Sequence, residues 1–565
     1  YMGLREERRT AVPSAPPSVA METTESRLRV SETLAAFNAV LRGKAGDGAR
    51  ASVWFKESSA RNLRSRDFLA PRAALRAIFA NGQVPKDIAE SVLSLKCPGV
   101  PPIHSCQNVP AGLIVQLDRP TVFEQILTAL PVYTKPPLTS QGHCIILNCV
   151  PLHGRKDLKS LSLGHLRAIL ITDHLAGLLQ AQGINVQLVP AFVSEDIHQF
   201  LHQIQVDWPC GSEASQVPED ILILKETLCQ CQYTTFTQAD QDEIVCKLHL
   251  KEFLEKQEGL EGYDPNLDVF LVTEENLHHV AELQRVAQQC TEDAPGICCS
   301  IVHIVNNKEA FQQQKVDLLW RLLAQPQSFT NHQKHLVCGP VKITCTDSCM
   351  NAFQYYQLRH SQMYKASVLK YGDLSKDASW MKVISVLTSA AIRFEMLSIV
   401  HQNQVFLDVE ESNISMKGTK GGAFVMYNCA RLATLFESYQ RSVEQGRYPV
   451  FPQSSELNYS SLGEEGEWLL LFNSILPFQE VFSHVTQLLL HTGGLRITVS
   501  TEAICKFLIQ LSMDFSSYYN RAHILGEPRP HLFSQMFARL QLMRAVREVF
   551  HSALATFHLP PLSQI

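Results

Sequence analysis

The chain has 565 residues, 45% apolar and 19% charged, with 50 Lys and Arg against 55 Asp and Glu for a net charge of −5. That is a globular composition with material for three or four domains, and it excludes a collagen-like chain, a wholly disordered one and a histone-like polycation. No apolar run approaches the ~18 residues of a membrane span, and the charged stretch Arg5-Glu6-Glu7-Arg8-Arg9 lacks the apolar core of a secretion signal.

Residues 1–26 mix Pro13, Pro16 and Pro17 with Ser, Thr and Glu and show no apolar period, so a flexible extension is expected, with Met21 as a candidate start. Residues 27–138 read as a small helical basic module, in which Leu34, Phe37 and Leu41 recur at helical spacing. Lys56, Arg61, Arg64, Arg66, Arg72 and Arg76 face only Glu57 and Asp67, and residues 1–80 carry 14 basic against 8 acidic side chains. Such a cluster can track phosphates, and Arg61, Arg64 and Arg66 are candidate RNA contacts; the plain alternative is a solvated face.

Residues 139–354 alternate strand and helix. Cys144–Val150 has the length and apolarity of a buried strand, Leu163–Gln182 reads as a helix with Gly183 as its stop, and Val186–Phe192 reads as the next strand. That is a βαβ unit, normally part of a parallel sheet. Further strands are expected at Val269–Val272, Ile301–Val305 and His335–Ile343, with a polar-rich insertion at 207–263. Residues 355–565 read as an all-α bundle with helices at Val383–Leu397, Phe424–Arg441, Trp468–Leu490, Ile504–Ala522 and Phe533–Phe557.

Three segments, in order, resemble arginyl-tRNA synthetases. The first is Leu163-Gly164-His165-Leu166-Arg167 with Ile171-Thr172-Asp173-His174, similar to the segment around the His-x-Gly-His signature of class I synthetases. The second is Ile301–Val305, Phe311-Gln312-Gln313 and Val337–Val341, similar to that family's later sheet strands. The third runs from Ala391-Ile392-Arg393-Phe394 through Phe424–Tyr427 and Phe515–Tyr519 to Ala538-Arg539-Leu540-x-Leu542, and resembles the DALR anticodon-binding bundle. The implied fold is α/β plus all-α: a degenerate class I synthetase Rossmann-like domain followed by a DALR-type helical bundle.

The resemblance also implies loss of chemistry. In the family, two imidazoles of the first signature stabilise charge on the ATP phosphates; here Ser162 stands in the first His position, while Gly164 and His165 remain and Lys159 falls at a phosphate-binding position. A hydroxyl can donate a hydrogen bond but carries no positive charge. Where a lysine-rich loop is expected, Thr344–Met350 offers Asp347 and no lysine. Lys159, Ser162, Gly164 and His165 are thus expected to form a vestigial nucleotide pocket, with no catalytic residue.

In the bundle, Tyr518, Tyr519, Arg521, Arg529, Arg539 and Arg547 have the composition of an anticodon-loop reader: rings to stack on bases, guanidinium groups for phosphates and base edges. Tyr427 and Tyr519 have a competing reading as core, and Arg431 as a tie between helices. Residues 501–565 hold six Lys/Arg against four Asp/Glu, so attraction from charge alone is modest. Cys229-x-Cys231, Cys298-Cys299 and Cys345-x3-Cys349 lack zinc-finger spacing, His531, His551 and His558 read as ordinary surface groups, and no dinucleotide or P-loop fingerprint occurs, so neither metal nor cofactor is expected.

The resemblance, close to a vertebrate member of the group, implies a non-catalytic adaptor. It would bind arginine tRNA by the anticodon arm and present it to a tRNA 3-methylcytidine methyltransferase, without membrane or DNA. The alternatives are a residually active, ATP-using synthetase-like enzyme and a protein scaffold without RNA. Sixteen irregularly spaced cysteines fit reduced thiols and a cytoplasmic location with room for a nuclear pool.

Overall fold

The computed structural model describes residues 27–43, 53–139, 142–191, 193–209, 217–236, 244–257, 260–293, 298–324, 332–344, 350–372, 377–410, 421–491 and 493–565. The expected extension 1–26 and the loop positions 345–349 lie outside the described residues.

The N-terminal module has the expected helix, Val30–Arg42, and in addition an antiparallel sheet of β1 (Lys56–Glu57), β2 (Phe68–Pro71), β3 (Ile103–Val109) and β4 (Gly112–Leu117) in the order β1-β2-β4-β3. Gly112 closes the β3–β4 hairpin at φ 142°, and a Cβ there would stand 2.0 Å from the Ala70 carbonyl oxygen. Phe37 is fully buried against Phe55 and Phe68, and Phe68 meets Phe472 of the helical half edge-on at 5.6 Å. Buried Asp67 accepts from the Trp468 indole at 2.8 Å and from Arg119 at 3.0 Å. The basic module is therefore packed on the far end of the chain.

Residues 143–343 build the parallel sheet. Strands β5 (His143–Cys149) and β6 (Asn185–Val189) flank the helix Leu163–Ala181, and β10 (Cys298–Asn306) and β11 (Gln333–Cys338) flank the helix Ala310–Leu323, in the order β11-β10-β5-β6. Between β6 and β10 an inserted antiparallel sheet of β7 (Thr234–Thr235), β8 (Ile244–His249) and β9 (Val269–Thr273) accounts for part of the polar stretch, so the strand expected at Val269 belongs to a different sheet from its neighbours in sequence. Alternation along β5 separates two cores. Ile145, Leu147 and Cys149 face the Leu163 helix; Cys144 and Ile146 face the helices Glu274–Asp293 and Ala310–Leu323. The run His335–Ile343 is not one strand. It breaks at Gly339-Pro340, where a Cβ on Gly339 would lie 2.4 Å from the Gln402 carbonyl oxygen; β12 (Val341–Ile343) then pairs with β13 (Val405–Leu407). Proline cannot donate to the ladder, which fixes the break.

The Leu163 helix is buried on nearly every face because it lies between this sheet and the helical half. Arg167 crosses the junction fully buried: its guanidinium donates to the carbonyls of Met396, Gly339, Asn403, Ile399 and Val400. Gly177 gives the last helix room, since a Cβ there would meet the Thr556 carbonyl oxygen at 2.4 Å.

Helices Ala352–Tyr371, Ala378–Leu397, Gly422–Glu444, Phe478–His491, Ala503–Arg521 and Pro530–Ala555 make the helical half. The long helix expected at 468–490 is broken: Glu465–Leu470 passes into a π turn, Leu471–Ile475, before Pro477. Proline removes a backbone donor and crowds the preceding turn. No helix among the described residues is long and apolar enough to cross a membrane.

Candidate nucleic-acid interface

The Gly422 and Ala503 helices lie side by side in the helical half. On the first, Tyr427, Arg431 and Thr434 follow at four- and three-residue spacing and so share a face. On the second, Tyr519 faces them. The Arg431 guanidinium stands 4.4 Å from the Tyr519 ring centroid and 5.5 Å from that of Tyr427. It donates to Ser516 Oγ at 3.1 Å and to Asn520 Oδ1 at 2.7 Å. Those two acceptors are neutral, so these bonds fix the guanidinium without cancelling its charge. With Ala430, Gln564 and Ile565 these residues line a recess of about 280 Å³. Burial raises the Tyr519 hydroxyl above its ordinary value, so it stays protonated near neutral pH. Two rings held beside a cation can stack an unpaired base and attract its phosphate.

The expected RNA contacts divide. Tyr518, next to Tyr519, is 1% exposed and donates its hydroxyl to Glu467 Oε1 at 3.0 Å. Arg539 is buried too: Nε donates to the same oxygen at 2.7 Å, and Nη2 donates to Glu464. These two residues are corrected to interior roles. Successive helical residues point about 100° apart, so the pair Tyr518-Tyr519 cannot face solvent together. Arg521 and Arg529 are exposed; Arg521 bonds back to the Ser517 carbonyl and Arg529 pairs with Glu527 at 2.6 Å. Arg547 is half-buried, its guanidinium 4.1 Å from the Phe436 ring centroid. Arg61 and Arg64 project from the turn between β1 and β2, while Arg66 is partly covered. Sequence reasoning alone leaves Arg431 and Tyr427 among the packing residues. Arg431 does join two helices, and it presents rings to solvent while doing so. His558 is likewise no ordinary surface group, since its Nδ1 lies 3.0 Å from buried Asp173.

The positions of the first signature meet at the N-terminus of the Leu163 helix. Ser162 Oγ accepts from the His165 amide, and His165 Nδ1 accepts from the Ser162 amide, both at 3.2 Å. That capping box fixes the tautomer: the ring proton sits on Nε2, which lies 3.0 Å from Glu309 Oε1. Arg155 reaches the same oxygen at 3.2 Å. A carboxylate therefore occupies the anion side of the retained histidine. Lys159 is exposed, and a Cβ on Gly164 would sit at ordinary contact, 3.5 Å, from Asn306 Nδ2.

Behind this pocket a buried chain runs from His153 through Asn148 (2.6 Å) and His303 (2.8 Å) to Gln333 (2.8 Å). Beside it His335 meets Asp317 at 2.8 Å, and Arg321 meets Asp317 at 3.1 Å. His303, Asp317 and His335 have metal-ligating atoms within 4.8 Å of one another. Burial lowers His303 to about 4. Burial alone would raise Asp317, but the hydrogen bond and charge of His335, with Arg321, outweigh it and keep the carboxylate ionised. Each donor atom already has a partner, which is the pattern of a satisfied polar core.

Residues 28–133 match the family model described as the DALR N-terminal domain, and residues 425–565 match that of the DALR anticodon binding domain. Proteins called DALR anticodon-binding domain-containing protein 3 from Rattus norvegicus and Danio rerio are 49% and 43% identical to this chain, over 95% of it and 99% of theirs. The solved arginyl-tRNA synthetase of Thermus thermophilus is similar in fold, with a TM-score of 0.59 at 14% identity, covering 95% of this chain and all of that one.

Proposed function

The chain belongs to the family of DALR anticodon-binding domain-containing protein 3, and from that premise we propose that it is a non-catalytic adaptor that grips arginine tRNA by its anticodon arm. The observation that carries the reading is the recess formed by Tyr427, Arg431 and Tyr519 within the segment matched by the anticodon-binding model. Unstacked loop bases can stack on such rings, and exposed Arg521, Arg529, Arg61 and Arg64 offer phosphate contacts along the same molecule. The adaptor delivers its tRNA to a tRNA 3-methylcytidine methyltransferase in the cytoplasm. That enzyme supplies the methyl donor, so the adaptor needs no cofactor of its own.

The non-catalytic half of the reading rests on Glu309. Adenylate formation requires the signature histidine to face the ATP phosphates; here it faces a carboxylate, with Ser162 in place of its partner imidazole. A second reading, residual ATP use, is favoured only by the exposed Lys159 beside Gly164 and His165.

Sequencing the RNA that co-purifies with the full chain tests the first reading. Enrichment of arginine acceptors, and more 3-methylcytidine formed by the methyltransferase when the adaptor is added, are the expected results. Equal retention of all tRNAs would overturn it. Arginine-dependent exchange of pyrophosphate into ATP in the presence of tRNA would establish the second reading instead.

A further inference from the structure

Three cysteines distant in sequence meet at the N-terminal edge of the parallel sheet, the end opposite the signature pocket. Cys144 is the second residue of β5, and Cys299 stands on β10 as its direct register partner, so the two side chains share a face. Cys290 comes up beneath them from the last turn of the helix Glu274–Asp293. All three sulfur atoms lie within 4.8 Å of one another, and those of Cys144 and Cys290 are 3.1 Å apart. Ordinary apolar packing holds atoms about 3.5–4.0 Å apart. The Cys144–Cys290 pair is closer than that, which apolar packing alone does not produce.

We propose that Cys144, Cys290 and Cys299 form a site for a thiophilic d¹⁰ cation, zinc(II), with three thiolates from the chain and one exogenous ligand such as water in the fourth position. Zinc–sulfur bonds of about 2.3 Å in tetrahedral array put sulfurs about 3.8 Å apart, so the trio needs only small rotamer changes to close. Cys290 and Cys299, 5% and 6% exposed, lie nearer the surface than Cys144. Exposed Cys229 belongs to no such cluster among the described residues and serves as a control. The bound ion would staple the Glu274 helix, and with it the inserted antiparallel sheet, to the two central strands β5 and β10.

The test uses full-length protein purified under reducing conditions without added chelator. Elemental analysis should find about one zinc per chain, lost in Cys290→Ser and in Cys144→Ser but kept in Cys229→Ser. Replacement by cobalt(II) should give intense thiolate-to-cobalt charge-transfer bands that weaken in Cys299→Ser. Should the serine variants fail to fold, the wild-type cobalt spectrum decides alone, because its intensity reports how many sulfurs bind. Wild-type protein without stoichiometric metal and unable to take up cobalt would overturn the proposal. So would metal that survives all three substitutions, or a Cys144–Cys290 disulfide in reduced preparations.

Discussion

The guanidinium of Arg539 donates from Nε to Glu467 at 2.7 Å, and neither group is more than 9% exposed. The arginine of the Ala538-Arg539-Leu540 run is thus a clamp within the bundle. Burial raises the Tyr518 hydroxyl, which donates to that same carboxylate. Arg539→Met leaves Glu467 charged and unpaired in the interior and should cost about 3–5 kcal/mol, measured by denaturant unfolding. Tyr518→Phe should cost about 1 kcal/mol. Fully folded Arg539→Met protein with lost tRNA affinity would show that this residue touches RNA after all.

Removing the ring that lines the recess should act on binding and leave folding intact. Tyr519→Ala is expected to weaken arginine-tRNA binding about 5- to 150-fold, the range of one stacked base at ~1–3 kcal/mol. Tyr519→Phe keeps the π face and should bind nearly as wild type. Filter binding with circular dichroism as the folding control reads both. An alanine variant with unchanged affinity removes the recess from the interface.

Arg61 and Arg64 project from a turn and contribute charge to the surface. Replacing both with alanine should reduce the slope of log affinity against log salt by about one unit for each phosphate that is no longer neutralised, with equal effect on all bound tRNAs. An unaltered slope assigns them to the solvated face.

Asp173 binds Arg393 at 2.8 Å and His558 at 3.0 Å. Burial raises Asp173, but the two cations outweigh it and hold it below its usual range. Burial lowers His558, yet the hydrogen bond and charge of Asp173 leave it raised. A raised histidine stabilises the fold fully below its unfolded value, and that contribution fades as pH climbs through the folded value. The wild type should therefore lose, relative to His558→Gln, part of its stability from about pH 6 upward. The carboxylate contributes in the other direction, and its share is lost as pH falls below the ordinary aspartate range. Unfolding midpoints of the two proteins across pH 5–9 check the sign. A constant difference between them rules out this linkage.

Gly177→Ala would raise intrinsic helix propensity by roughly 1 kcal/mol. It should nevertheless destabilise by roughly 1–3 kcal/mol, because the added methyl meets the Thr556 carbonyl, which belongs to backbone and cannot swing away. A higher melting temperature for this variant would mean that the last helix can slide.

Periodicity exposes the long helices and the parallel strands because burial there follows the backbone period. Phe424 to Arg441 reads as a helix from its spacing, and the structure extends it to Gly422–Glu444. The hairpin β3–β4 is not legible in the same way, because Ile103–Val109 carries His104, Ser105, Gln107 and Asn108, a polar edge strand without an apolar alternation. The capping box at Ser162 is legible as chemistry but not as geometry: nothing near it in sequence announces Glu309. The same holds for the recess, since Tyr427 and Tyr519 lie 92 positions apart and only the pairing of their helices unites them.

Arg167 fastens five carbonyls from the sheet's rim and the helical half around one fully buried charge. Buried ties of that kind leave no hinge. Any RNA held by the bundle would keep a constant orientation toward the rest of the molecule, so delivery of a chosen nucleotide to a second protein would depend on a fixed ruler and not on a swinging arm.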